Sequence, residues 1–111
     1  MNPTEYQQRA HALAIYPEER AVEYVALGLA SEAGEVAGKV KKAIRDGRHW
    51  TGEQREDHRQ SVLDEASDVA WYLSELTRQY GSTLEELFSR NIAKLESRQR
   101  RGVIGGSGDS R

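Results

Sequence analysis

Residues 29–36 read "LASEAGEV", and the two glutamates in this stretch, Glu32 and Glu35, stand where a simple buried helix face would carry Leu or Ala. Around them, Val22, Val25, Leu29, Val36, Val40 and Ile44 recur at threes and fours, which predicts a helix from about Glu18 to Asp46 with Gly47 as its stop. Lys41, Lys42 and Arg45 occupy its last turns, where the helix dipole favours cations. At about 100° per residue, Glu32 and Glu35 fall on one edge of the apolar stripe.

A second stretch repeats the arrangement. In "LDEASDV", residues 63–69, Glu65 and Asp68 have the same spacing and the same rotational offset from Val62, Ala66, Val69, Leu73 and Leu76. These lie in a predicted helix that is clearest from Ser61 to Tyr80 and stops at Gly81. If the two helices form an antiparallel hairpin turning near residue 50, residues whose numbers sum to about 100 share a height. Position 32 then faces 68 and position 35 faces 65, bringing four carboxylates into one cross-section. Four carboxylates beside a core repel unless protons or cations neutralise them. Oxygen ligands without imidazole or thiolate suit a hard divalent ion, Mg²⁺ or Mn²⁺. A single E-x-x-E pair is an ordinary solvated helix feature, Lys39 standing four residues past Glu35; two matched pairs in register point to a metal site.

The remaining helices are read from their ends. Asn2 caps a first helix with Pro3 at its first position, carrying Ala10, Leu13 and Ala14 until Pro17 interrupts it. Thr51 with Gln54 forms a capping box for the third helix, whose solvated start "EQREDHRQ" is open to fraying or to a separate short helix. Ser82 with Glu85 is expected to cap a fourth helix with Leu84, Phe88, Ile92 and Leu95 as its stripe. No strand-like alternation appears, so the fold class is all-α. Residues 1–101 read as one domain, followed by a glycine-rich tail, 102–111.

Composition sets the outer bounds. With 111 residues, 37% hydrophobic and 31% charged, the helices are thin, and their apolar faces are expected to be completed by a second copy into a four-helix-bundle core, as a homodimer or dimer of dimers. A net charge of −2 argues against a broadly basic nucleic-acid surface. No apolar run spans a membrane, and the polar start is no signal peptide, so a cytoplasmic protein is expected. The chain has no cysteine, which removes thiol catalysis and thiolate metal sites. A carboxylate-bridged di-iron bundle needs Glu-x-x-His, and none of the three histidines has a glutamate three residues before it.

"GLASEAGEVAGKVKK" followed by "LDEASDVAWYL" resembles the MazG-like all-α nucleoside triphosphate pyrophosphohydrolases, whose signature is E-x-x-E on one helix and E-x-x-D on the next. The likeness runs from about Glu23 through "NIAKLESR" to "GVIGGSGDSR". It implies Mg²⁺-dependent hydrolysis of a nucleoside triphosphate between its α and β phosphates, with Glu32, Glu35, Glu65 and Asp68 as metal ligands. Members often carry a further glutamate where this chain has Ser31, which leaves open whether Glu35 is ligand, base or both. Substrates implied by the family range from canonical and altered (d)NTPs to dUTP, dCTP and phosphoribosyl-ATP.

Substrate contacts are read from residues and resemblance together. Asn91, Lys94 and Arg98 line one flank of the fourth helix and are expected to face the triphosphate, with Lys39 a similar case. The tail offers Asp109 and Arg111, either as nucleotide contacts or as a disordered end. Trp50 is a platform for a base or a hydrophobic plug over the bundle end. Trp71 is expected at a subunit interface; Tyr72 reaches a phosphate or packs in the core, and His11 and His58 have no assigned role. A non-enzymatic helical interaction module is the competing class.

Overall fold

A computed structural model describes residues 1–111 as four α-helices with no strand. They are α1, Pro3–His11; α2, Ala21–Asp46; α3, Gly52–Gln79; and α4, Leu84–Arg100. Single 3₁₀ turns at Glu18–Arg20 and Gly47–His49 precede and follow α2. The two long helices form the antiparallel hairpin, turning between Gly47 and Thr51. Gly28 and Tyr72, whose numbers also sum to 100, lie in direct contact across it.

Helix ends explain the boundaries. Asn2 accepts the Glu5 N–H at 2.8 Å. The capping box of Thr51 and Gln54 forms in both directions, at 3.2 and 2.8 Å, and α3 runs unbroken through the polar segment that follows. Gly81 closes α3 with φ of +68°, a conformation that suits glycine.

Two boundaries differ from expectation. Helix α1 ends at His11, well before Pro17, where the Ala10 carbonyl accepts the Trp71 indole N–H at 3.1 Å. Trp71 therefore docks α1 onto α3, and Leu13 is left 74% exposed. Helix α2 ends at Asp46 with Gly47 as its cap, as expected; the cap's φ is −83° and the chain continues into a 3₁₀ turn. Finally, α4 is capped by Thr83, which accepts the Glu86 N–H at 3.1 Å, while Ser82 donates to the Glu86 carboxylate instead of forming a box with Glu85. A tertiary contact sets this register, because Gln7 of α1 accepts the Leu84 N–H at 2.7 Å and Leu84 is buried.

The lone chain is open. Only eight residues are buried, and just four of them, Ala10, Ala21, Val25 and Leu84, are apolar. Its radius of gyration is 17.3 Å, against about 13 Å for a compact chain of this length. Its accessible surface is 8219 Å², roughly 2,000 Å² more than a compact monomer of its mass presents. Ile44, Leu27, Ile92 and Phe88 all remain exposed. No helix is long and apolar enough to cross a membrane.

Candidate functional site

Helices α2 and α3 bring three of the four expected carboxylates together. One oxygen each from Glu32, Glu65 and Asp68 lies within 4.8 Å of the others. Glu35 stands outside this group, exposed, one turn further along α2. Lys39 pairs across the hairpin with Glu65, Nζ to Oε1 at 3.5 Å, rather than with Glu35 along its own helix.

The electrostatics follow from crowding. Glu32 is pushed above the ordinary glutamate value, first by partial burial and then by the charges of Asp68, Glu65 and Glu35. The Tyr72 phenol, one turn after Asp68, is raised first by burial, then by the neighbouring Tyr24 hydroxyl and by the carboxylates of Glu32 and Asp68. It is therefore a neutral hydroxyl near neutral pH. A converging all-oxygen donor set with one carboxyl driven toward protonation fits a hard divalent cation.

One consequence is measurable without metal. Because Glu32's folded value lies above its unfolded one, the folded protein holds the extra proton in the window between them. Metal-free stability should then decline as pH rises from the ordinary glutamate value through Glu32's raised value. Glu32→Gln should remove that slope. Melting curves in a chelator across this window check it; an unchanged slope in the variant would assign the titration to another group.

The floor beneath Tyr72 is built by glycine. A Cβ on Gly28 would lie 2.0 Å from the Tyr72 ring, so the close approach of the ring to α2 requires glycine there. Tyr72 also meets Trp71 edge-on at 5.0 Å, and Tyr16 and Tyr24 continue the aromatic layer at 5.3 Å. Tyr72 is thus half-buried in this aromatic layer, on the same face of α3 as Asp68.

The other expected site residues lie elsewhere on the chain. Trp50 lies over Gly47, with ring atoms 3.0–3.3 Å from where a Cβ would be, and beside the His58 ring at 5.2 Å. It plugs the hairpin turn, about 18 Å along α2 from Glu35. Asn91 and Lys94 line a shallow 530 Å³ hollow with Leu73, Leu87 and Phe88. None of Glu32, Glu65 and Asp68 lines this hollow. Lys94 and Arg98 both donate to Asp109, at 3.1 and 2.9 Å. Arg111 is turned into the tail, where its guanidinium donates to the carbonyls of Val103, Ile104, Gly105 and Gly108.

A buried polar group escaped the sequence reading. Glu75 of α3 is fully buried, and its Oε1 accepts the Tyr16 hydroxyl at 2.7 Å with His11 Nδ1 at 3.1 Å. Gln79 donates to Tyr16, and Gln7 donates to Thr77. These bonds tie α1 and the segment after it to α3. The only signal available was a polar run, Ser74–Glu75, on what otherwise reads as a helix with no exposed role.

A family model described as the MazG nucleotide pyrophosphohydrolase domain matches residues 20–103. The Gene 37 protein of Mycobacterium phage L5 is 42% identical over 112 residues, an alignment covering 96% of each chain. No solved structure matches the chain.

Proposed function

The chain belongs to the MazG nucleotide pyrophosphohydrolase family, and from that premise we propose that it hydrolyses a (d)NTP between the α and β phosphates, giving a (d)NMP and pyrophosphate, as a house-cleaning enzyme of the cytoplasmic nucleotide pool. The observation that carries this reading is the convergence of Glu32, Glu65 and Asp68 from two helices onto one point. These three would hold Mg²⁺, with Mn²⁺ as a substitute. When bound, the ion neutralises phosphate charge and lowers the pKa of water at the site.

The chain's own residues supply the rest. In this reading Glu35, exposed and outside the three-carboxylate group, takes the proton of the attacking water and joins the metal shell when substrate arrives. Lys39 holds Glu65 in place and offers a cation beside it. Asn91, Lys94 and Arg98 bind phosphate oxygens. Because none of the three clustered carboxylates lines the hollow with Asn91 and Lys94, we place these groups, and Trp50 at the hairpin tip, against the carboxylates of a second copy. The excess surface of about 2,000 Å² suffices for a stable interface, which takes roughly 800 Å² from each partner. A homodimer or dimer of dimers is the proposed assembly.

Incubating the full chain with a panel of (d)NTPs, with Mg²⁺ and with a chelator, tests the reading. Turnover that requires the cation supports it. No turnover of any nucleotide would favour a helical interaction module instead.

A further inference from the structure

We propose that Asp109 is an internal anion that occupies the Lys94–Arg98 pair and is displaced when a substrate phosphate binds there. This rests on the reading of Lys94 and Arg98 as phosphate ligands. A single oxygen, Asp109 Oδ1, receives Lys94 Nζ at 3.1 Å and Arg98 Nη2 at 2.9 Å. Two cations converging on one oxygen is the arrangement a phosphate oxygen calls for. Arg98 is only 5% exposed and its Nε has no partner, so the tail leaves donor capacity at the guanidinium unused.

The carboxylate, by contrast, is a weakly held occupant. Its side chain is 81% exposed, which screens both pairs even though Lys94 and Arg98 hold its carboxyl below the usual aspartate value. One negative charge faces two positive ones. A triphosphate brings more charge and more acceptor oxygens than one carboxylate, and so wins the exchange.

The tail is built to let go as a unit. Arg111 gathers four carbonyls between Val103 and Gly108, closing the segment on itself independently of α4. Gly102, directly after the helix, has φ of +71°, and Gly106 and Gly108 share the left-handed conformation. Besides the Asp109 pairs, the loop is held to Arg98 only by its Gly108 carbonyl at 3.5 Å and by the helix-end bond from Val103 N–H. Rotation near Gly102 would lift Asp109 away without unwinding α4.

The test is calorimetric titration of the full chain with inorganic tripolyphosphate in the absence of Mg²⁺. Asp109→Asn keeps the shape and removes the charge, and is expected to bind about two- to fivefold more tightly than the wild type. In a Lys94→Gln background the gain should shrink. Unchanged or weaker binding by Asp109→Asn would overturn the proposal. Hydrogen exchange supplies a second readout: amides 103–111 should exchange faster once tripolyphosphate is added, and greater protection would contradict displacement. Nucleotide turnover measured in parallel separates the two ideas. Tighter binding without any turnover removes the enzymatic reading and keeps the exchange; turnover without tighter binding does the reverse.

Discussion

Replacing Glu65 by Gln is expected to lower cation-dependent nucleotide hydrolysis by more than about a hundredfold. Groups that merely orient a metal ligand typically cost 10- to 100-fold when lost, and Glu65 is one of the three carboxylates that meet within 4.8 Å. The carboxamide keeps the shape but surrenders a charge, and with it the pair to Lys39 at 3.5 Å. Stability should move the other way. Glu65 is one of the charges that push Glu32 upward, so its removal relieves repulsion in the metal-free protein. Glu65→Gln should therefore melt at or above the wild-type temperature in a chelator while kcat/KM collapses. Activity within tenfold of wild type would remove Glu65 from the site, and a lowered melting temperature would show that its role is structural.

Gly28→Ala should destabilise the fold by about 1–3 kcal/mol, as overpacking of a well-filled contact does. The direction is informative because helix propensity alone favours alanine over glycine by roughly 1 kcal/mol. What opposes it is the Tyr72 ring, 2.0 Å from the added methyl. Something must shift, and the ring is bounded by Trp71 on one side and Tyr24 on the other. Adding Tyr72→Leu to Gly28→Ala should recover much of the loss, since the smaller side chain vacates the space above α2. Chemical denaturation of the two single variants and the double variant reads this coupling. A Gly28→Ala variant more stable than wild type would mean that the ring does not press on α2.

The hairpin was legible because its signal is periodic and doubled. Two stripes with matched acidic edges predict both helices and their register, and the contact of Gly28 with Tyr72 falls on the same rule that pairs 32 with 68. The same rule sets Glu35 beside Glu65, whereas the carboxylates that meet within 4.8 Å are Glu32, Glu65 and Asp68. Equal height along the hairpin does not fix a side chain's direction, because three residues along a helix turn it by about 60° to the side of its neighbour.

What escaped the reading depends on contacts between residues far apart in sequence. Nothing near Thr83 announces that Gln7 will accept the Leu84 N–H, yet that bond moves the start of α4 by one residue. Leu13 resembles a core residue until Trp71 takes the carbonyl of Ala10 and α1 ends. The tail has the composition of a loose end, but Arg111 organises its carbonyls and Asp109 anchors it to α4. Glu75 is the sharpest case. A charged residue on a helix reads as solvated, and only the arrival of Tyr16 and His11 from the other end of the domain makes its burial tolerable.

Phosphorus NMR of the reaction mixture, with the chain, Mg²⁺ and a nucleoside triphosphate that it turns over, tests the central claim most directly. Cleavage between the α and β phosphates predicts nucleoside monophosphate and pyrophosphate in equal amounts from the first turnover. Orthophosphate with nucleoside diphosphate would contradict it.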